Sequence, residues 1–302
     1  IIKGSVSVHK NSHLLTESGG TRHLSMGQLI METLSLLFFV ASVVRSQTQF
    51  KISAVHGRFK QLVDLENGAA LLFGGDSGKD NGAFVFGDRM YPKFNSSNSW
   101  YSVVSQKNPL LRKNHVLVRV APGKAFLYGG QCLSFGNFIP CNDGTNSGWL
   151  FQQRTTPEGK LTRDIGKWVA TLIFQGDDPP KSCISHASVA SLASNKFLIL
   201  GGQCLEKSLN TPVLGAWVGS YRYEAGDKHI LSWKKIPRGP SWPSSHLISS
   251  AMANLQNNVL LLFGGDIAGS ETYFDNRNTY VITYAPSSNR LEWEKQSTTP
   301  KC

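Results

Sequence analysis

Short apolar runs that end in a pair of glycines recur along this chain. The clearest copy runs from Lys196 to Leu200 and is followed by Gly201 and Gly202. A continuous apolar run of this length predicts a strand covered on both faces, and the glycine pair marks a point where the backbone bends or packs closely. The segment that starts at His186 alternates small and apolar residues, and Ser194 and Asn195 after it have turn chemistry. The whole stretch therefore predicts a β-hairpin.

The same unit occurs four times. Its glycine pairs are Gly74 and Gly75, Gly129 and Gly130, Gly201 and Gly202, and Gly264 and Gly265. Each pair is preceded by a histidine and followed by a polar loop, a short aromatic–aliphatic run and a tryptophan. The histidines are His56, His115, His186 and His246, and the tryptophans are Trp100, Trp168, Trp233 and Trp293. Four copies with the same flanks predict a repeat array, each repeat forming one four-stranded antiparallel sheet. The repeats lie near 54–105, 112–172, 183–237 and 244–297.

These features resemble the kelch family: a histidine-led strand, an apolar run ending in Gly-Gly, a later aromatic residue and a later tryptophan. The resemblance covers nearly all of the chain from His56 to Trp293. It implies an all-β fold, a β-propeller with four four-stranded blades present. The arginine three residues before the histidine is found only as Arg112, and Cys183 stands at the matching place in the third repeat. Kelch propellers have about six or seven blades, so we expect the four repeats to be part of a larger ring, with Gln49–Ser53 as an outer strand that closes it.

The first 46 residues lie outside the repeats. Residues 1–25 are polar and have no periodicity, so no domain is assigned to them. Within residues 26–46 an apolar run of 11 residues, Leu34 to Val44, precedes small residues. This predicts a secretory signal peptide over residues 26–46, without the usual basic segment, and a mature extracellular domain over residues 47–302. The run is shorter than the about 20 residues that a membrane span needs. An uncleaved signal anchor and a buried helix are the alternatives.

All five cysteines lie in the predicted mature chain, where disulfides suit a secreted protein. None forms a Cys-x-x-Cys pair, so a zinc site is not expected. Opposite residues of an antiparallel hairpin have a constant index sum. A turn centred near Ala193 and Ser194 therefore places Cys183 opposite Cys204, which predicts a disulfide between them.

The other cysteines need a different argument. In the second repeat the position opposite Cys132 falls near Arg112, so Cys132 is expected to pair with Cys141, nine residues further on in the same loop. Cys302 is left without an assigned partner. The alternative is that the cysteines are free, buried thiols in an intracellular protein.

The net charge is +11, and the basic residues are scattered rather than clustered. This charge favours acidic partners such as anionic glycans. Nucleic-acid binding would need a basic stripe with interleaved aromatics, and no such stripe is present, so nucleic acid is not an expected partner. Asn95 begins an Asn-Ser-Ser tripeptide, which predicts N-glycosylation in a secreted chain.

Motifs that carry chemistry are missing from the sequence. It contains no Gly-x-Ser-x-Gly elbow, no His-Glu-x-x-His and no phosphate loop. The recurring histidines are interpreted as scaffold residues at one shared position of each repeat, because the repeat itself explains them. The recurring tryptophans are likewise expected to pack each sheet onto the next one. Asp177 and Asp178 could form a carboxylate pair, but the prolines that follow indicate an exposed turn. No catalytic residue, metal ligand or cofactor is therefore predicted.

The leading function is a secreted binding scaffold that recognises an extracellular protein or glycan through loops on one propeller face. The longest loops are Gln131–Ser147 and Asp266–Asn278, and Tyr273, Phe274 and Arg277 in the second are candidate binding residues. No stable membrane span is expected in the mature chain. The alternative, which the kelch resemblance also allows, is a secreted carbohydrate-active enzyme, either a copper-dependent oxidase or a sugar isomerase.

Overall fold

The computed structural model of the protein describes residues 61–66, 68–75, 82–87, 99–134, 137–144, 147–206, 209–213, 215–243, 247–256, 258–267 and 278–296. These residues form strands, turns and loops, with no helix among them. In chain order the strands are β1 (Gln61–Glu66), β2 (Ala69–Phe73), β3 (Ala83–Gly87), β4 (Ser99–Ser102), β5 (Arg112–Lys113), β6 (Val116–Ala121), β7 (Lys124–Tyr128), β8 (Gln131–Ser134), β9 (Asn137–Pro140), β10 (Gly148–Thr155), β11 (Leu161–Val169), β12 (Ile173–Gly176), β13 (Ile184–Ser185), β14 (Ser188–Ser191), β15 (Lys196–Leu200), β16 (Gln203–Glu206), β17 (Leu209–Pro212), β18 (Ala216–Glu224), β19 (Lys228–Ile236), β20 (Leu247–Ile248), β21 (Ala251–Gln256), β22 (Val259–Phe263), β23 (Asp266–Ile267), β24 (Thr279–Ala285) and β25 (Arg290–Lys295).

Each repeat contributes one four-stranded antiparallel arrangement, as the sequence predicted. The strand orders are β1-β2-β3-β4, β6-β7-β10-β11, β14-β15-β18-β19 and β21-β22-β24-β25. In the third sheet β12 also pairs with β19 in parallel, which makes a fifth strand. The apolar run of each repeat is therefore the second strand of its sheet and has a hydrogen-bonded neighbour on both sides.

The hairpin of β14 and β15 forms as its sequence predicts. Ser194 and Asn195 both have positive φ, 59° and 58°, which is the backbone of a tight two-residue hairpin turn. Four consecutive side chains of β15, those of Phe197–Leu200, are buried. A strand in the middle of a sheet that is covered on both faces needs this kind of continuous apolar run.

Three smaller sheets, called the accessory sheets below, flank the glycine pairs. They are β5-β8-β9, β13-β16-β17 and β20-β23. The sequence predicted polar loops after the glycine pairs, and that prediction is wrong for these strands. In the second repeat this segment forms a short hairpin instead, in which Gln131–Ser134 pairs with Asn137–Pro140.

Successive sheets contact one another through their first strands. Strand β6 contacts both β1 and β14, and β14 contacts β21. Backbone hydrogen bonds repeat along this row: the N–H of His186 donates to the carbonyl of Asn114 at 3.0 Å, and the N–H of Ser249 donates to the carbonyl of His186 at 2.8 Å. All three residues have a left-handed φ, between 54° and 56°. The same local bend thus aligns each repeat with its neighbour.

The buried core consists of three apolar clusters, and each one lies between two consecutive sheets. The first contains Phe73 and Trp168, the second contains Phe126 and Trp233, and the third contains Leu198 with residues of the fourth sheet. Burial of this large aromatic and aliphatic area between sheets is the main stabilising contribution to the fold.

Two of the repeat tryptophans, Trp168 and Trp233, pack against the preceding sheet. Trp168 of the second sheet lies 5.2 Å from Phe73 of the first, and Trp233 of the third lies 5.9 Å from Phe126 of the second, measured between ring centroids. The sequence predicted packing onto the next sheet, so the direction of that prediction is wrong. Which neighbouring sheet a tryptophan contacts depends on how the sheets are arranged in space. The spacing of the tryptophans along the chain does not determine that arrangement.

The repeat histidines do not share one position. Strand registers pair Arg112 with Cys132 and Ile184 with Cys204, which makes Arg112 and Ile184 equivalent. His186 is therefore equivalent to Asn114, and His115 lies one position further along. The prediction of a common histidine position is wrong for these two residues, and His56 and His246 lie outside the described residues.

Burial makes His115 a source of acid sensitivity. Its side chain is 1% exposed, and burial, with a further contribution from the Arg112 guanidinium, lowers its pKa from 6.5 to about 3. Between these values the unfolded chain binds a proton that the folded chain excludes, so stability falls as the pH drops from about 6.5 towards 3.

We expect His115→Leu to make the free energy of unfolding depend less on pH. The contribution of His115 to this slope is up to about 1.4 kcal/mol per pH unit. Urea unfolding of the wild type and the variant from pH 7 to pH 4 measures the two slopes. His186→Asn is the matched control, because it installs the side chain that the second repeat has at the equivalent position. Equal slopes for wild type and His115→Leu would contradict the assignment.

Candidate binding face at the Gly-Gly ends of the sheets

The candidate functional site is the set of accessory sheets together with the left-handed residues that precede the first strands, here called the Gly-Gly face. Every accessory strand β8, β16 and β23 begins directly after a glycine pair, so these strands gather at the same end of the successive sheets. Strands β9 and β16, from different repeats, contact each other. The segments around the glycine pairs thus form a surface that spans more than one repeat.

A disulfide clips the first hairpin on this face. Cys132 and Cys141 are bonded with their Cα atoms 5.0 Å apart, and the N–H of Cys141 donates to the carbonyl of Gly130 at 3.3 Å. The hairpin β8–β9 is therefore anchored at both ends. This is the pairing that the sequence predicted.

The second predicted disulfide is also present. Cys183 and Cys204 are bonded, with a Cα–Cα distance of 5.0 Å. The register differs from the sequence prediction by one residue, because Ile184 and not Cys183 is the direct partner of Cys204. Cys183 lies just before β13, and the bond forms diagonally.

A fully buried arginine supports the clipped hairpin from beneath. The guanidinium of Arg112 is 0% exposed and forms an ion pair with Asp143, which is 13% exposed. It also donates to the backbone carbonyls of Leu110 at 3.1 Å, Gly129 at 2.8 Å and Ser147 at 3.2 Å. A buried charge is tolerated only when it is paired and hydrogen-bonded, and each of the three guanidinium nitrogens of Arg112 makes at least one such bond.

Asp143 also accepts hydrogen bonds from groups other than Arg112. Its Oδ2 accepts hydrogen bonds from the N–H of Leu110 at 2.7 Å and from the indole N–H of Trp149 at 3.0 Å. The Ser147 hydroxyl donates to the carbonyl of Cys141. Burial lowers the pKa of Arg112, and the Asp143 carboxylate opposes that shift. The loop after β9 is thereby held by a charged network and not only by the disulfide.

Polar side chains line the same face in two consecutive repeats. The amide of Asn114 donates to Oε1 of Gln131 at 3.4 Å, and the amide of Gln203 lies 3.2 Å from Nδ1 of His186. The two pairs occupy equivalent positions, because each joins a left-handed residue to the first residue after a glycine pair. This row offers amide and imidazole groups that suit hydrogen bonding to a polar partner.

A pocket of about 730 Å³ opens beside the accessory sheet of the third repeat. Its lining includes two carboxylates, two lysines, a tryptophan and a disulfide-bonded cysteine: Asp177, Asp178, Lys181, Lys235, Trp217 and Cys204. The ammonium of Lys235 lies 5.8 Å from the centre of the Trp217 ring, within cation–π range. Asp177 accepts a hydrogen bond from the N–H of Lys235 at 2.8 Å, which fixes the loop after β12 against β19.

Several residues singled out in the sequence lie outside the described residues. They are the glycosylation site Asn95, the candidate binding residues Tyr273, Phe274 and Arg277, the leftover Cys302, the closing strand Gln49–Ser53 and the predicted signal peptide over 26–46. Within the described ranges no group of three or more His, Cys, Asp or Glu side chains is arranged to hold a metal ion. The described part of the chain also contains no helix that is long and apolar enough to cross a membrane.

The sequence did not single out Asp143 or Asn114 as parts of the site. Asp143 is 31 residues from Arg112 along the chain, and an Arg and an Asp at such a distance carry no recognisable signal. The sequence offered one indication: Arg112 stands at the position that Ile184 occupies in the next repeat.

Comparisons with known proteins inform the fold only. No family model matches the chain, and no curated protein sequence matches it. Among solved structures, the chain is similar to a chain in the cryo-EM structure of RAG in complex with one melted RSS and one unmelted RSS. The similarity covers 81% of this chain and 67% of that chain, with a TM-score of 0.54 and 11% sequence identity. At this identity the likeness concerns the arrangement of strands and not the function.

Proposed function

We propose that this chain is a secreted kelch-repeat β-propeller that acts as a binding scaffold through its Gly-Gly face. Four sheets that contact one another in sequence through their first strands support the propeller arrangement. The similarity to a solved structure with a TM-score of 0.54 supports a shared fold. Two disulfides are compatible with an extracellular location.

The observation that carries the binding function is the rigidity of the β8–β9 hairpin. A disulfide, a buried ion pair and several hydrogen bonds to backbone hold a surface segment that has no role in the sheet core. A pre-ordered segment binds with a smaller loss of conformational entropy than a flexible loop does. Ile139 on this hairpin is 44% exposed, so the held surface includes an apolar contact point.

A glycan is the ligand class that the neighbouring pocket favours. Carboxylates accept hydrogen bonds from sugar hydroxyls, lysines bind acidic substituents, and a pocket of about 730 Å³ is in the range of small-ligand sites. The net charge of +11 adds a long-range preference for anionic glycans. A protein partner would instead use the wider face around Ile139.

The test is a glycan array followed by calorimetric titration of any hit. We expect Asp178→Asn to weaken binding about tenfold, because one charge-assisted hydrogen bond contributes about 1.5 kcal/mol. Asp164→Asn is the control, since Asp164 lies on β11 and does not line the pocket. If no glycan binds but Ile139→Asp abolishes capture of an extracellular protein while Ile173→Asp does not, the ligand is a protein. If neither variant changes any binding, the Gly-Gly face is not the binding surface.

The alternative function is a secreted carbohydrate-active enzyme, a copper-dependent oxidase or a sugar isomerase. The same pocket is its support, because it contains adjacent carboxylates. One oxygen of Asp177 already accepts the Lys235 N–H, which ties that carboxylate to a structural role. Turnover of a sugar, with peroxide or an isomer as product, would replace the scaffold proposal.

A further inference from the structure

A second cluster of ionisable side chains lies at the opposite end of the sheets, far from the Gly-Gly face. It comprises Lys124, at the start of β7, and Tyr221, Tyr223, Asp227 and His229 in the β18–β19 hairpin, and is called the turn-end cluster below. Strand β7 runs from Lys124 towards the glycine pair that follows Tyr128, so the cluster and the Gly-Gly face are separated by the length of the strand. Its members come from the second and third repeats.

The cluster contains a continuous chain of hydrogen bonds. The ammonium of Lys124 donates to the Tyr221 hydroxyl at 3.1 Å, and that hydroxyl lies 2.9 Å from Nδ1 of His229. The Tyr221 hydroxyl donates to Nδ1 of His229 in the imidazole tautomer that carries its proton on Nε2. Proton movement from the amine to the imidazole therefore needs only one intervening hydroxyl.

The surroundings of Lys124 are aromatic. Its ammonium lies 5.2 Å from the centre of the Tyr221 ring and 4.8 Å from that of Tyr223. Tyr221 is 6% exposed and Tyr223 is 50% exposed. The amine therefore lies between a buried tyrosine ring and a solvent-exposed one. Lys124 itself is half-buried. A small molecule can therefore approach the amine past Tyr223.

The charges around the relay favour a neutral imidazole. Burial lowers the pKa of His229, and Lys124 and Lys167 lower it further, while Asp227 acts in the opposite direction. Burial also lowers the pKa of Lys124 and raises that of Tyr221 to about 12. Asp227 is engaged by the Tyr223 hydroxyl at 2.5 Å. The phenol thus stays protonated and the imidazole can accept a proton.

The fourth repeat shows that the fold itself does not need this relay. Strand registers make Tyr284 equivalent to Tyr221, and Asn289, in the turn before β25, lies two residues before Leu291 as His229 lies two residues before Leu231. Both tyrosines use their N–H in the same way, donating at 3.0 Å to the carbonyl of Asn195 or Asn258. The Tyr284 hydroxyl donates to Oδ1 of Asn289 at 3.4 Å. A neutral amide therefore suffices at this position, and the histidine of the third repeat is an additional feature.

We propose that Lys124 is a nucleophilic amine that forms a Schiff base with aldehydes. The ammonium first loses a proton through Tyr221 to His229. The neutral nitrogen then adds to the carbonyl carbon, and a proton moves from that nitrogen to the carbonyl oxygen to give a carbinolamine. The proton held by His229 returns through Tyr221 to the carbinolamine hydroxyl, which leaves as water while the C=N bond forms as a protonated Schiff base. Ammonium and aldehyde are thus converted to a protonated imine and water with no oxidant or reductant.

The experiment uses glyceraldehyde as the probe, with cyanoborohydride to trap the imine at pH 7 and peptide mapping to measure the rate at each lysine. Lys196 is the internal reference, because it begins β15 as Lys124 begins β7. We expect Lys124 to react at least about tenfold faster than Lys196, because only Lys124 has the Tyr221 hydroxyl and His229 in line to take up its proton. Equal rates would overturn the proposal.

Variants show whether fast labelling of Lys124 depends on Tyr221 and His229 or only on the solvent exposure of the amine. His229→Asn installs the residue of the fourth repeat and should reduce the rate at Lys124 towards that of Lys196, and Tyr221→Phe should do the same. Tyr284→Phe is the matched control and should leave the rate at Lys124 unchanged. An unchanged rate in His229→Asn would overturn the relay. If His229→Asn fails to fold, Tyr221→Phe decides in its place: an unchanged labelling rate at Lys124 in that variant would overturn the relay.

Discussion

Replacing Asp143 with asparagine is expected to lower the free energy of unfolding by about 3–5 kcal/mol, because the change leaves the buried Arg112 charge without its counterion. The guanidinium is 0% exposed, so water cannot replace the lost carboxylate. Asparagine keeps the shape of the side chain and one hydrogen-bonding oxygen. The effect therefore reports the charge and not a cavity.

Urea unfolding followed by tryptophan fluorescence measures this loss. Asp164→Asn is the matched control, since Asp164 pairs with Arg154 in an ion pair whose side chains are 53% and 48% exposed. Exposed ion pairs contribute about 0–1 kcal/mol, so the control substitution should change the free energy of unfolding by no more than that. If the two variants lose the same stability, Arg112 is solvated in solution and the proposed support of the β8–β9 hairpin is absent.

Gly129→Ala is expected to have an effect of similar size, about 2–5 kcal/mol, from backbone strain and a steric clash together. Gly129 has a φ of 62°, where an L-residue loses about 1–2 kcal/mol. A Cβ there would also lie 2.3 Å from the backbone carbonyl oxygen of Ile184 in the next repeat. Relief of that clash requires the two repeats to separate, and overpacking of this kind costs about 1–3 kcal/mol.

Gly226→Ala isolates the conformational part of this effect. Gly226 has a φ of 80°, and no atom lies within 4 Å of the place that an added methyl group would occupy, so the expected loss is about 1–2 kcal/mol. Thermal unfolding of both variants gives the difference between them. A loss in Gly129→Ala no larger than that in Gly226→Ala would show that the repeats are not packed as closely as described.

The two glycines of each pair have different roles, which explains why both positions are glycine. The N–H of Gly75 donates to the carbonyl of Arg112 at 3.1 Å, and that of Gly130 donates to the carbonyl of Ile184 at 2.7 Å. These bonds join the first repeat to the second and the second to the third at equivalent positions. A Cβ on Gly130 would also lie 2.9 Å from the carbonyl of Lys113 in its own repeat. The pair is thus confined by backbone from two repeats.

Local pattern alone determined the central hairpin of the third repeat, whereas the accessory hairpin of β8 and β9 was missed. The apolar run Lys196–Leu200 forms a central strand, and the Ser194–Asn195 turn has the left-handed backbone that its residues favour. Both disulfide pairings were also predicted: Cys183–Cys204 from the hairpin register, which is a short-range property, and Cys132–Cys141 from the closeness of the two cysteines in one loop. The register itself was wrong by one residue at Cys183, since the position of a turn within a sequence is known less precisely than its existence.

The tertiary structure decided everything that joins one repeat to another. Lys124 of the second repeat meets Tyr221 of the third across 97 residues, and even within the second repeat Arg112 meets Asp143 across 31. The repeat pattern in the sequence shows that the sheets are alike, but not which side of each sheet faces its neighbour, so the packing direction of Trp168 and Trp233 was not predictable. Hydrophobic periodicity is a property of single strands, whereas paired charges and proton relays depend on side chains that only the packing of whole sheets brings together.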